Sequence, residues 1–323
     1  MNSNKNLIIG VAFALATGSA GAADAPYPSK AVRMVVPFAP GGPTDVIARF
    51  VAARLSESFG QQVVIDNRAG AGGNIGMGMA ASATPDGYTL VVVSSSFVVN
   101  PGLYAKIPYD PYKSFAPVTN MAASPNVYTA NPSVPAKTMP ELIKLIQANP
   151  KKYSFATPGI GTTPDLAASL LKVTSKLDVT TVPYAGAGPA VTAVIGNQVP
   201  LGCTALPPTT PHILGGRLRA IAVTSARRSA ALTDVPTLAE AGLAGQESET
   251  LQGVLVPAGT PKAVVQKLQS EIARILAQPD TKEKIIALGF DIVASTPEQF
   301  AAQIKSEVVK WSKVVKDAGI KVE

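Results

Sequence analysis

The segment VRMVVPFAPGGPTDVIARF, residues 32–50, carries the first structural unit of the chain. Residues 32–36 are typical of a buried β-strand, and the apolar residues that close the segment begin a pattern with the spacing of one helix face. Between them, residues 37–45 include a pair of glycines, which let the backbone turn sharply and approach a ligand closely. A strand, a glycine-containing loop and a helix in this order predict the start of a parallel α/β sheet.

The alternation of strands and helices continues along the chain. Strands are predicted at 62–65 and 88–93, with a helix of small residues at 74–83 between them, and this βαβαβ order implies a parallel sheet with helices on both faces. A second block repeats the pattern, with strands predicted at 152–156, 179–182, 199–204 and 218–224. The sequence therefore predicts two doubly wound α/β domains, and its length also favours about two domains.

Capping residues predict where several helices begin. Thr138 and Glu141 have the spacing of a capping box, in which each side chain bonds the backbone of the other residue. Thr163, Thr260 and Thr296 each precede a proline, which favours the first position of a helix. The helices predicted after Thr260 and Thr296 carry regular apolar stripes, so we expect both to pack against a core.

The composition excludes several classes of protein. Of 323 residues, 46% are hydrophobic and 15% are charged, which is too apolar for a disordered chain. The net charge of +7 is spread along the chain without a basic patch, so we expect no nucleic-acid partner. A single histidine and a single cysteine exclude an intramolecular disulfide and most metal sites, and we expect neither a metal nor a cofactor.

The amino-terminal segment is typical of a signal peptide. Lys5 precedes an apolar run of about ten residues, which is too short for a membrane span of about twenty. Small residues follow at 17–23, and they predict cleavage after Ala22 or Ala23. The segment therefore predicts that the mature protein is exported and soluble, and the alternative is a short buried helix.

A second loop, residues 157–165, repeats the design of residues 37–45. It also lies between a predicted strand and a predicted helix and contains two glycines. The start of a helix presents unpaired N–H groups and a partial positive charge, and a small anion is its natural occupant. One such loop in each block predicts a cleft that closes on an anion. The alternative is that Thr44, Asp45 and Thr163 only cap their helices.

Residues at other strand ends are further candidates for ligand contact. Ser94 and Ser95 end one predicted strand, where their hydroxyls could meet a ligand, and Ala205 ends another. Residues 69–76 form a glycine-rich turn whose spacing does not match a dinucleotide-binding loop. His212 leaves a cleft hydrolase as an alternative of a different class, but no serine on a sharp turn lies near it in the sequence. The residues thus favour a binding protein over an enzyme.

Seven blocks of the sequence together resemble the Bug family, the extracytoplasmic solute receptors of tripartite tricarboxylate transport systems. The blocks lie at 36–45, 66–76, 156–162, 182–190, 218–225, 235–237 and 257–261. The resemblance implies a type II periplasmic binding protein fold, in which two domains are joined by a hinge that the chain crosses near residues 125 and 247. It implies a first domain of residues 26–125 plus 248–323 and a second domain of residues 126–247.

The resemblance also implies how a ligand is held. Members of this family bind one ligand carboxylate with backbone amides, hydroxyls and ordered waters from two loops, without an arginine. By position, the ligand-binding residues implied here are Phe38, Gly41, Gly42, Thr44, Asp45, Ser94, Ser95, Thr157, Gly159, Gly161, Thr162, Thr163 and Ala205. Neither a catalytic residue nor a metal ligand is implied.

The implied function is the capture of a small carboxylate, either a di- or tricarboxylate or an aromatic acid. A monomeric periplasmic protein would deliver it to a membrane permease of the tripartite tricarboxylate transporter type. A periplasmic ligand sensor for a signalling system is the alternative among binding proteins. The chain departs from many relatives at Asp165, where they have histidine, and at Thr250-Leu251, where they have an aromatic residue. These two positions leave the recognition of the far end of the ligand open.

Overall fold

The computed structural model describes residues 27–317 of the chain, so the signal peptide predicted at residues 1–22 lies outside the described residues. The strands are β1 (Val32–Val36), β2 (Val63–Asn67), β3 (Thr89–Ser94), β4 (Phe115–Ala130), β5 (Ser154–Thr157), β6 (Thr180–Pro183), β7 (Leu201–Ala205), β8 (Arg219–Val223), β9 (Glu249–Pro257) and β10 (Asp291–Ile292). The α-helices are α1 (Pro43–Phe59), α2 (Asn74–Ala81), α3 (Ser96–Leu103), α4 (Met139–Ala148), α5 (Thr163–Thr174), α6 (Ala187–Ile195), α7 (Leu206–Leu214), α8 (Lys262–Ala277), α9 (Pro279–Ala287) and α10 (Pro297–Asp317). Within this part of the chain, no helix is both long and apolar enough to cross a membrane.

The strands form two halves with the same internal order. The main path runs β2-β1-β3-β9-β4-β7-β5-β6, with β8 and β10 each paired to β4. In one half β2, β1 and β3 are parallel and β9 runs antiparallel to β3. In the other half β6, β5 and β7 are parallel and β4 runs antiparallel to β7. The predicted pair of doubly wound α/β blocks is therefore confirmed.

Strands β4 and β9 join the two halves. β4 pairs with β9 from Phe115 to Pro125, and from Asn126 onward it pairs with β7 and β8. β9 begins at Glu249, directly opposite Pro125. The chain therefore passes between the halves at two adjacent points of the sheet. The domain boundaries implied at 125 and 247 lie next to these points and stay a prediction.

Separate hydrophobic clusters support the two halves. In the first half, α1 and α8 cover one face of the sheet, and α3 and α10 cover the other, where Trp311 is buried. A cluster in the second half contains Cys203, which is fully buried as expected. Gly253 of β9 lies under Phe300 of α10, where an added Cβ would be 2.1 Å from the ring. This close approach brings the carboxy-terminal helix back onto the first half.

The predicted caps are confirmed at two helices and wrong at two. Thr163 does not cap α5, because it is the first residue of the helix and Thr162 occupies the capping position. Thr138 and Glu141 form a capping box at the start of α4, and Thr296 bonds the backbone of Gln299 in the same way at the start of α10. Thr260 does not cap α8, because Pro261 occupies the capping position. The Thr260 hydroxyl instead donates to the Pro257 carbonyl and closes the preceding turn.

Candidate functional site

A small cavity lies between the two halves of the sheet. Both glycine loops that the sequence singled out contribute to its wall. The lining residues are Phe38, Gly42, Pro43, Thr44, Ser94, Pro158, Thr162, Thr163, Pro164, Ala187, Ala205 and Thr250. None of these residues carries a formal charge, and five of them are hydroxyl-bearing.

Five helices begin at the wall of this cavity. Gly42, Thr162 and Ala205 are the capping residues of α1, α5 and α7. Ala187 is the first residue of α6, and Ser94 comes just before the start of α3. At none of these five starts does the capping residue bond the helix through its own side chain. At α3 the Ser94 hydroxyl accepts the Ser96 N–H at 3.4 Å. Because the first N–H groups of a helix lack partners within it, these helix starts place hydrogen-bond donors and partial positive charge around the cavity. The prolines in the first turns of α1, α5, α6 and α7 supply no N–H, so the donors come from the other residues of those turns.

The first loop is held in shape by Asp45. Its carboxylate accepts hydrogen bonds from the Gly41 N–H at 2.9 Å, from Arg49 at 2.9 Å and from the Asn67 amide at 2.9 Å. Burial disfavours the charged carboxylate, but these bonds outweigh it, so the pKa of Asp45 is lowered. Gly41 has a φ of +85°, which favours glycine. In this structure Asp45 thus shapes the loop, and its side chain is not part of the cavity wall.

The second loop repeats this arrangement with Asp165. Its carboxylate accepts hydrogen bonds from the Thr157 hydroxyl at 2.9 Å and from the Gly161 N–H at 3.3 Å. Gly161 has a φ of +81°, close to that of Gly41. Burial is the largest influence and raises the pKa of Asp165, although the bonds from Thr157 and Gly161 oppose it. The Asp165 carboxylate therefore also stabilises its own loop, and its side chain is not part of the cavity wall.

The structure brings about half of the implied binding residues to the cavity wall. Those lining the cavity are Phe38, Gly42, Thr44, Ser94, Thr162, Thr163 and Ala205. The others do not line it, and they are Gly41, Asp45, Ser95, Thr157, Gly159 and Gly161. Asp45, Thr157 and Gly161 take part in hydrogen bonds that hold the loops, whereas Gly41, Ser95 and Gly159 line neighbouring hollows. Ser95 also accepts the Leu251 N–H at 3.0 Å. The assignment of these residues to ligand binding stays a prediction.

Five lining residues were not among those implied. They are Pro43, Pro158, Pro164, Ala187 and Thr250. Pro43, Pro158 and Pro164 lie inside the two loops and could have been found from their neighbours in the sequence. Ala187 follows a glycine at the start of α6, and Thr250 lies at the start of β9. Their approach to the cavity depends on how distant segments pack.

The two halves touch each other beside the cavity. The Ala39 N–H donates to the Ala185 carbonyl at 3.1 Å. A Cβ added at Gly188 would lie 2.5 Å from the Pro40 carbonyl oxygen. A Cβ added at Gly72 would lie 2.9 Å from the Ile160 carbonyl oxygen. The structure is therefore a closed form, in which glycines allow the backbones of the two halves to meet.

A chain of hydroxyls links the cavity to the strands that join the halves. The Thr163 and Thr250 hydroxyl oxygens are 2.5 Å apart, and the Thr250 hydroxyl donates to the Asn126 amide oxygen at 2.8 Å. Since Thr250 donates to Asn126, the Thr163 hydroxyl is the donor to Thr250. The start of α5 is thereby fastened to both β4 and β9 at the point where β4 changes partners.

His212 lies away from this cavity. It stands on α7 and lines a different groove together with Pro40, Gly188 and Gln198. Burial, with a smaller effect from Arg217, lowers the pKa of the imidazole. The residue on which a hydrolase would depend is therefore not part of the wall that the two loops form.

The fold and the site define the class of two-domain solute-binding receptors, with a cavity between the two α/β halves. The family model described as "Tripartite tricarboxylate transporter family receptor" matches residues 47–320, and the chain belongs to this family. The protein BugT of Bordetella pertussis is 35% identical over 100% of this chain and 100% of its own length. The resemblance to Bug receptors is thereby confirmed.

Solved structures with this fold include two that hold carboxylates. A Rhodopseudomonas palustris protein solved with adipate is 34% identical, with a TM-score of 0.89 over 91% of this chain and 99% of that chain. MatC of the same organism, solved with bound malate, is 32% identical, with a TM-score of 0.85 over 90% of this chain and 100% of that chain. The family and these structures are of binding proteins, so the protein is a receptor and the cleft-hydrolase alternative is wrong.

Proposed function

We propose that this protein captures a small carboxylate in the periplasm and delivers it to a membrane permease of the tripartite tricarboxylate transporter type. The observation that carries the proposal is the meeting of five helix starts at one cavity without a charged wall residue. A buried carboxylate needs donors for its oxygens, and hydrogen bonds to charged groups contribute roughly 1.5–3 kcal/mol each. Backbone N–H groups at the helix starts supply such donors.

The ligands of solved relatives support a small organic acid. The relatives solved with adipate and malate hold aliphatic acids of this kind. We therefore favour an aliphatic carboxylate over a larger aromatic acid.

Ligand entry requires the closed form to open. We propose that β4 and β9 act as the hinge, with residues 26–125 plus 248–323 moving against residues 126–247. β4 changes its pairing partner between Pro125 and Asn126, from β9 to β7, and this change supports the division into two domains at that point. Closure would bring the α1 and α5 starts together on the two sides of one carboxylate.

Export and delivery complete the proposal. The apolar run and the small residues of segment 1–22 support export, with cleavage after Ala22 or Ala23. The closed form presents a joint surface from both halves, which a permease could distinguish from the open form. Family membership supports a tripartite transporter as the recipient.

A substitution that introduces a carboxylate side chain into the cavity wall tests the proposal. Ala187 lines the cavity and is the first residue of α6, where an aspartate is favourable to the helix. We expect malate or adipate to raise the unfolding temperature of the wild type, since a ligand at 100 times its Kd adds about 2.7 kcal/mol. Ala187→Asp should lose this response through charge repulsion.

Ala187→Asn is the matched control, since asparagine has the same shape without the charge. We expect it to keep more of the response than Ala187→Asp. Equal losses in both variants would show that charge is not what the cavity recognises. A wild type that responds to neither acid, nor to a wider set of carboxylates, would refute the proposed function.

A further inference from the structure

Gln252 of β9 is a buried amide whose polar atoms have no partner. Its side chain is 0% exposed, and among the described residues neither its oxygen nor its nitrogen makes a hydrogen bond. A buried polar group left unpaired destabilises the fold, because it has lost its hydrogen bonds to water. Its neighbour two residues along on the same face, Val254, is a core residue of the cluster under α1. A glutamine in this row of the sheet weakens the fold unless it serves another purpose.

Gln252 is not itself part of the cavity wall, but its neighbours on the sheet are. It is paired with Ser94 across the β3–β9 ladder, so the two side chains project from the same face of the sheet. Thr250 lies two residues earlier on β9 and therefore on the same face as well. Both Ser94 and Thr250 line the cavity. Gln252 thus borders the floor of the cavity between these two residues and the hydrophobic cluster.

A second unpartnered group lies on the same face. Ser124 of β4 is paired with Thr250, and its buried hydroxyl makes no hydrogen bond in the described part of the chain. The floor therefore combines an amide with a hydroxyl, and neither group carries a charge. A glutamine amide both donates and accepts, and so does a serine hydroxyl.

The chemistry of this floor matches a neutral polar group better than a charged one. A carboxylate placed against this floor would bury a negative charge beside groups that carry no positive charge, and such burial is costly, so a second carboxylate of the ligand would lie elsewhere in the cavity. An alcohol needs one acceptor for its proton and one donor for its oxygen. The Gln252 amide supplies both from a single side chain.

We propose that Gln252 is the specificity-determining residue for the ligand and that it binds a hydroxyl group, so that the preferred ligand is a hydroxycarboxylate. The proposal rests on the proposed function, because the carboxylate of the same ligand is bound at the helix starts. The hydroxyl pairs the buried amide only when the ligand is present. A site built to hydrogen-bond a hydroxyl rejects the analogue without it, because the amide then stays unpaired.

The experiment compares acids that differ by one hydroxyl. Calorimetric titrations measure the Kd of malate against succinate and of lactate against propionate. For at least one pair we expect the wild type to bind the hydroxy acid at least tenfold more tightly. In Gln252→Met, which keeps the length of the side chain but removes the amide, this ratio should fall close to one.

Gln246→Met is the matched control. Gln246 is also a buried glutamine with an unpartnered oxygen, but it lines a different groove, near α5 and α10. We expect this variant to keep the wild-type ratio. Denaturant unfolding of the ligand-free proteins should show no loss of stability in Gln252→Met, which a purely structural role for the amide would not allow.

The outcomes separate this inference from the proposed function. Carboxylate binding with equal affinity for both members of each pair in the wild type would overturn the role of Gln252, and this measurement needs no variant. A wild-type preference that persists in Gln252→Met would overturn it as well. If no carboxylate binds to the wild type, the proposed function fails and the inference fails with it.

Discussion

Asp45 and Asp165 each accept a hydrogen bond from the glycine N–H four residues earlier, from Gly41 at 2.9 Å and from Gly161 at 3.3 Å. The two loops are thus built alike in the two halves of the molecule. Their electrostatics differ, because Asp45 also forms an ion pair with Arg49, whereas the further partner of Asp165 is a hydroxyl. The pKa is therefore lowered at Asp45 and raised at Asp165.

We expect Asp45→Asn to lower the free energy of unfolding by about 2 kcal/mol at neutral pH, as expected for charge-assisted hydrogen bonds. Three donors converge on the carboxylate, and an asparagine would turn its own amide donor toward one of them. A lowered pKa stabilises the fold above the ordinary value of 3.8, and this contribution is lost as the pH falls through the folded-state pKa.

Denaturant unfolding of the wild type and Asp45→Asn, repeated from pH 7 down to about pH 3, tests this expectation. The difference between the two proteins should shrink on acidification below about pH 4. A difference that stays constant over this range would show that the charge of Asp45 is not what stabilises the loop.

We expect the opposite pH dependence for Asp165→Asn. A raised pKa means that the folded protein loses stability as the pH rises through the ordinary value of 3.8 toward the folded-state pKa. Asparagine removes this penalty and can still accept from the Gly161 N–H while its amide donates to Thr157. The variant should be more stable than the wild type at neutral pH, and the gain should vanish on acidification. Equal or lower stability at neutral pH would contradict the buried, cation-free environment of Asp165.

Gly188→Ala tests the closure of the two halves. A Cβ at this position would lie 2.5 Å from the Pro40 carbonyl oxygen of the opposite half, so the closed form is blocked. Alanine in a helix is otherwise better than glycine by roughly 0.5–1 kcal/mol, and the ligand-free protein should not lose stability. We expect at least a tenfold loss of affinity for malate or adipate, about 1.4 kcal/mol, measured by calorimetric titration.

Gly196→Ala serves as the control for this variant. Gly196 ends the same helix, and an added Cβ there would be 3.4 Å from the Thr192 carbonyl oxygen, with no contact to the opposite half. Its affinity should equal that of the wild type. If Gly188→Ala binds equally well, binding does not require this contact between Pro40 and α6.

His212→Ala tests whether the single histidine takes part in binding. His212 lines a separate groove, so its removal should leave the affinity within about twofold and the pH profile unchanged. The comparison is made between about pH 8 and pH 6, across the range in which an ordinary histidine titrates. A profile that flattens in the variant would place His212 in the binding equilibrium.

Local patterns were sufficient to predict the strand–loop–helix units. The strand at 32–36, the two glycine loops and the capping boxes that begin α4 and α10 depend on residues close together in the chain. The long strand β4 was not predicted from its own residues. It is almost entirely buried on both faces, so its side chains do not alternate, and Pro117 and Pro125 lie inside it.

The candidate site could be predicted in outline but not in its floor. Loops 37–45 and 157–165 follow strands and precede helices, which indicated their place at the edge of the sheet. Gln252 carried no such signal. It lies within β9, whose pairing with β3 and β4 joins residues that are far apart in the sequence. The hydroxyl contact between Thr163 and Thr250, which are 87 residues apart, carried no such signal either.

The amino-acid sequence thus predicted the order of strands and helices and the two glycine loops that suit an anion. These features depend on short-range hydrogen bonds and on the periodicity of neighbouring side chains. The pairing of β4 with β9, the meeting of five helix starts and the burial of an unpaired amide at their floor followed from the folded chain alone. They arise when segments that are distant in the sequence pack together, and packing of that kind leaves no periodic pattern in either segment.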